Sequence, residues 1–119
     1  MNCKIVENSF FARIARVVLK TKRVAMVLGE TIHLSGVDRD TFLRNEEWVA
    51  HELCHIRQFK EHGYYRFLGL YLWESVKRGY YNNKFEVEAR VAGAQRIFPP
   101  DMPDILKPPG LAQAGEQQV

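Results

Sequence analysis

Residues 51–55 read His-Glu-Leu-Cys-His. Two histidines four positions apart share one face of a helix. Their imidazoles can then reach a single Zn²⁺ at the roughly 2.0–2.1 Å of a zinc–nitrogen bond. Glu52 lies about 60° from His55 around the same helix. It approaches such a metal from the side without ligating it, placed to take a proton from a water whose pKa zinc lowers to about 7. The competing reading is a histidine pair hydrogen-bonded to backbone or carboxylate. The wheel favours metal. Val49, Leu53 and Ile56 form a core stripe, and Glu46, Ala50, Arg57 and Glu61 a solvent stripe. Trp48, His51, His55, Gln58 and His62 form a third stripe that is neither oily nor charged.

A catalytic zinc needs a third protein ligand and an open fourth position. In metzincins that ligand is a histidine ten residues after the first, reached past a glycine; here those positions hold Glu61 and Gln58. His62 is on the right stripe but two turns beyond His55, and reads as a helix-end histidine. Downstream, Asn83-Lys-Phe-Glu-Val-Glu-Ala-Arg90 offers Glu86 and Glu88 on a second helix. They point about 200° apart, so one of them can ligate and the other cannot.

HExxH followed by a helix bearing Glu-x-x-Ala resembles the gluzincin zinc peptidases. His51 to Gln58 reproduces HExxHxxQ and Glu86 to Ala89 reproduces Glu-x-x-Ala. The pattern is similar to the CAAX-prenyl-protease type and to small metallopeptidase domains carrying the same two motifs, over roughly residues 30–97. The resemblance implies Glu86 as third zinc ligand, with Glu88 as the fallback. It also implies that the strand at Thr31–Ser35 is an edge strand able to pair with an extended peptide. The sequence departs from the pattern at Arg90, where the membrane peptidases usually have Asp. Four residues after Glu86, Arg90 is placed to hold that carboxylate by an ion pair instead. The membrane segments of the prenyl-protease type have no counterpart. Tyr80, Tyr81, His33 and Tyr64 are candidate donors to an oxyanion.

The elements that must position these groups follow from pattern and punctuation. Residues 4–28 are ambiguous, and Phe10–Leu19 fits a helix or a strand. Arg23–Leu28 and Thr31–Ser35 around Gly29-Glu30 predict a hairpin. Asp38 or Asp40 caps a helix running from Thr41 to about Glu61, stopped by Gly63. Residues 64–78 are apolar nearly all round, which predicts a buried helix broken at Gly79–Asn83. A last helix runs from Lys84 to about Arg96. Prolines after Phe98 end regular structure, and the polar stretch 110–119 reads as disordered. The fold class is α+β: a small N-terminal hairpin or sheet packed on about three helices, a minimal zincin-like core. Residues 1–98 form one domain and 99–119 a Pro-rich tail.

Composition narrows the function. At 119 residues the chain suits one domain and excludes separate cofactor and substrate domains. A net charge of +3 is mild, so a nucleic-acid partner is not expected. Cys3 and Cys54 make no disulfide framework, and neither a signal peptide nor a spanning segment is read; a cytoplasmic location is expected. The leading expectation is a zinc-dependent peptidase acting on a peptide or protein substrate. One Zn²⁺ per chain is held by His51, His55 and Glu86, with Glu52 activating water. The alternative is a metal-binding or protein-interaction module without turnover. A third reading, a basic aromatic-rich binder of nucleic acid or a membrane surface, requires steep salt dependence.

Overall fold

The computed structural model describes residues 3–106. Short runs rich in aliphatic and β-branched residues form β2 (Val24–Leu28) and β3 (Thr31–Ser35), an antiparallel hairpin closed by Gly29-Glu30. A third strand, β1 (Lys4–Val6), pairs in parallel with β3, Ile5 opposite Ile32. The order is therefore β1-β3-β2. This corrects the expectation that Thr31–Ser35 is an edge strand: both its sides are paired. A parallel partner 27 positions upstream leaves no trace in local pattern.

The ambiguous segment is a helix, α1 (Phe10–Leu19), packed on β2 and β3. Ile32 and Leu34 point to the opposite face, into the main core. The single helix expected from Thr41 is two. Asp38 caps α2 (Arg39–Arg44), accepting from the Thr41 amide at 2.7 Å. Asn45 then leaves helical geometry and caps α3 (Glu46–His62), accepting from the Trp48 amide at 3.0 Å. An asparagine side chain offers the backbone an alternative to helix continuation, and that competition wins here. The core stripe of α3 is as expected, with Val49, Leu53 and Ile56 fully buried. Ala50, expected in solvent, is also fully buried.

Helix α4 (Tyr64–Asn82) departs most from expectation. It leans on α3 and α5 along one side, burying Phe67 and Glu74, while Tyr65, Leu72, Trp73 and Val76 stand in solvent. An all-round apolar run does not reveal how many neighbours the helix will have. Its break is at Gly79, whose φ of 79° is open to glycine at little cost. Asn83 then caps α5 (Lys84–Ala94), accepting from the Phe85 amide at 2.8 Å and donating to the Tyr71 carbonyl and Ser75 hydroxyl. Fully buried, Asn83 fixes the corner between α4 and α5. Helix α5 packs lengthwise on α3, and Gly93 lies so close that an added Cβ would be 2.8 Å from the Glu47 carbonyl oxygen.

Phe42, Phe59, Phe67 and Phe85 fill the core between sheet and helices. Met102 and Leu106 also reach it, so packed chain continues past Phe98 to a 3-10 turn at Asp104–Leu106. The polar stretch 110–119 lies outside the described residues. Among the described residues no helix is long and apolar enough to cross a membrane.

Candidate metal centre

The facing sides of α3 and α5 build one cluster. His51 and His55, one turn apart, set their rings edge to face at 5.0 Å between centroids. Glu86, on the first turn of α5, reaches between them. Its Oε1 is 3.2 Å from His51 Nε2 and its Oε2 is 3.2 Å from His55 Nε2. A ligand atom from each of the three residues lies within 4.8 Å of the others. Bonds near 2 Å to a tetrahedral ion imply ligand–ligand edges of about 3.3 Å, so this donor set fits zinc in type and spacing.

The tautomer of His55 follows from its neighbour. Gln58 donates its Nε2 to Glu88 Oε1 at 2.8 Å and to the Phe85 carbonyl at 3.1 Å. Its Oε1 therefore faces His55 Nδ1 at 2.9 Å, and Nδ1 carries the hydrogen. Nε2 is left as the nitrogen directed at Glu86, the arrangement of a metal-ligating histidine oriented by an outer partner. Glu88 is committed elsewhere, bonded to Gln58 and paired with Arg57 at 2.8 Å, and is absent from the cluster.

Tyr71, from α4, donates its hydroxyl to Glu86 Oε2 at 2.5 Å. Sequence reasoning missed it. The available signal was a hydroxyl one turn after Phe67, on the same face of α4. Glu52 lies beside the cluster, 3 % exposed, and its Oε2 has no hydrogen-bond partner. Burial pushes its carboxyl up to about 7, against the pull of both histidines and with a further push from Glu86. Burial alone would lower His55; hydrogen bonding to Glu86, the charge of Glu52 and Gln58 reverse this and push it up to about 9. Burial would raise Glu86, but the two histidines and Tyr71 hold it far below the usual carboxylate range. The cluster meets solvent through His51, whose side chain is 21 % exposed.

The other candidates separate clearly. Tyr80 stands near the site: its phenol is raised by burial, then by the charges of Glu86 and Glu52. Tyr81 does not join it, being exposed with Arg90 over its ring at 4.1 Å. That stacking, and a hydrogen bond from Arg90 Nη2 to the Tyr81 carbonyl, corrects the expected Arg90–Glu86 ion pair. His33 is on the α1 face of the sheet, with Ser9 Oγ at 2.7 Å from its Nδ1 and Phe11 against its ring. The sheet stands between it and the cluster. Tyr64 packs on Phe59, and His62 stacks on Phe67. Cys54 is buried in a small cluster with Ala89 and Ala92. Burial pushes its thiol up to about 11, the opposite of an activated nucleophile.

No protein-family model, curated protein or solved structure matches the chain. The functional reading rests on the geometry of this site.

Proposed function

We propose that the protein is a zinc-dependent hydrolase of peptide bonds, with His51, His55 and Glu86 as the metal ligands and Glu52 as the general base. The observation that carries this reading is the convergence of two imidazoles and a carboxylate from separate helices, beside a buried carboxylate whose Oε2 is unpartnered. Zinc held there supplies Lewis acidity and lowers the pKa of water towards neutrality. Glu52, held near pH 7 by its surroundings, then has the affinity to take a proton from attacking water and return it to the leaving amine. Tyr71 orients Glu86 through its short hydrogen bond, so it is not free to serve the substrate oxyanion. Tyr80, half-exposed beside the same carboxylates, is the better placed donor for that role. Gln58 keeps His55 in the ligating tautomer.

Metal content of protein purified without chelator tests the site. One zinc per chain is expected in the wild type, with sharp loss in His55→Ala and Glu86→Gln. Glu52→Gln should keep the zinc and abolish cleavage of an unfolded protein substrate. Hydrolysis that survives in Glu52→Gln refutes the mechanism. The limited exposure of the cluster also favours a second reading, a metal-binding module without turnover. Zinc bound at one per chain with no cleavage in the wild type would select it.

A further inference from the structure

Helix α1 is built inside out. Its buried residue is Ala12, with Ala15 partly covered beside it. Most of its large apolar side chains point the other way: Phe10 is 68 % exposed, Val17 78 % and Val18 70 %, with Ile14 about half exposed, while Phe11 turns towards the sheet and packs on His33. Around the helix, Phe10, Ile14, Val17 and Val18 fall within about 100° of arc, opposite Ala12. A helix that served only to cover β2 and β3 would turn that stripe inwards.

The rim of the stripe is basic. Arg13 and Lys20 lie along one edge of it, and Lys22 and Arg23 follow in the turn to β2, all four exposed. Among the described residues none of the four is joined to an acidic side chain. Between Asn8 and Gly29 the sequence contains no acidic residue.

We infer that α1 docks the protein on an anionic lipid surface, with Phe10, Ile14, Val17 and Val18 entering the headgroup boundary and Arg13, Lys20, Lys22 and Arg23 meeting the lipid phosphates and carboxylates. An apolar stripe rimmed by cations, lying parallel to the surface, is the pattern of an interfacial helix. A second copy is a poor occupant, because pairing the same face with itself sets these cations against one another. The chain beyond Leu106 is also a poor match. Residues 107–119 offer Leu111 and Val119 as large aliphatic residues and Glu116 as the one acid.

Co-sedimentation of the full chain with vesicles is the test. Binding is expected to mixed phosphatidylcholine–phosphatidylserine vesicles, to be lost on pure phosphatidylcholine, and to fall as salt rises. Val17→Asp should weaken it more than about ten-fold, the scale of one buried aliphatic side chain. Arg13→Gln and Lys20→Gln should each weaken it about five-fold. These side chains are exposed, so thermal unfolding should hardly change; should Val17→Asp unfold, the milder pair Ile14→Ser with Val18→Ser replaces it. Absence of binding to the anionic vesicles overturns the inference, as does equal binding of the folded variants. A concentration-dependent dimer abolished by Val17→Asp would overturn it in favour of self-association, and a salt-insensitive protein partner on this face would overturn it in favour of protein docking. None of these outcomes depends on whether the site holds zinc.

Discussion

Replacing Gln58 by methionine isolates what orients His55. The two side chains have similar length, and the site is fully enclosed, so packing is nearly conserved. Four hydrogen bonds disappear: one accepted from His55 Nδ1, and three donated to Glu88, the Phe85 carbonyl and, at 3.6 Å, Cys54 Sγ. Glu88 keeps Arg57 at 2.8 Å, and the Phe85 carbonyl sits within a helix with its own backbone partner. The buried His55 Nδ1–H is therefore the group left without a partner, at a cost of about 1–3 kcal/mol. For a domain of this size that corresponds to a fall in Tm of roughly 5–15 °C. Zinc affinity should fall by about 10- to 100-fold, because the imidazole loses the contact fixing its tautomer and ring angle. Competition against a chromogenic chelator measures the affinity, and calorimetry the stability. An affinity within about three-fold of wild type, in a variant with the expected drop in Tm, would refute the assignment of Gln58 as the residue that orients His55.

Other expectations follow from the same contacts. In Phe67→Ala the ring packed between Phe59 and Phe85 is lost, and urea unfolding should report about 3–5 kcal/mol of destabilisation. His55 is raised to about 9, so at neutral pH zinc must displace its proton. Apparent zinc affinity should then rise about ten-fold per pH unit and level off above about pH 9, with near one proton released at pH 7 by calorimetry in buffers of differing ionisation heat. Burial would raise the Glu74 carboxyl, but the Lys84 amide, Lys77 and Arg78 hold it below its ordinary value. A lowered carboxyl stabilises the fold above its unfolded pKa and loses that contribution as pH falls through the folded one. The Tm advantage of wild type over Glu74→Gln should be full at neutral pH and shrink in acid; a constant difference would contradict it.

Local signals in the sequence carried much of this molecule. Gly29-Glu30 between β-rich runs locates the hairpin, and four-residue spacing brings His51 and His55 together. The distant partner Glu86 was legible through the resemblance of Glu86–Ala89 to Glu-x-x-Ala, the helix geometry adding only that Glu86 and Glu88 cannot both reach the site. What escaped was set by contacts without a local signature. The β1–β3 pairing is parallel and remote, so β3 read as an edge. Asn45 has the composition of a helix residue as well as of a cap, and its neighbours decide. Tyr71 acquires its role only because Asn83, bonded to the Tyr71 carbonyl, turns α5 back beside α4. The exposure of α4 reflects how few elements surround it, which hydrophobicity alone does not encode.

The close approach at Gly93 makes a pair of callipers of α3 and α5. Backbone there approaches backbone, with the Glu47 carbonyl oxygen 2.8 Å from where a Cβ would sit and Glu47 Cγ and His51 Cβ each 3.4 Å from it, so any rocking of one helix on the other would turn about this tight contact. Glu86 stands seven residues back along α5, about 10 Å from the pivot, and His51 and His55 stand about 6 and 12 Å along α3. A rotation of about 5° at the pivot would shift Glu86 by about 1 Å, half the length of a zinc–ligand bond. The opening of the jaws is thus set from one end, by a contact beside His51, and is greatest at Glu86 and His55. A cation preferring bonds of about 2.3–2.6 Å, such as calcium, could be gripped only by prising the helices apart against the buried corner at Asn83. Size discrimination would then come from the hinge rather than from the ligands themselves.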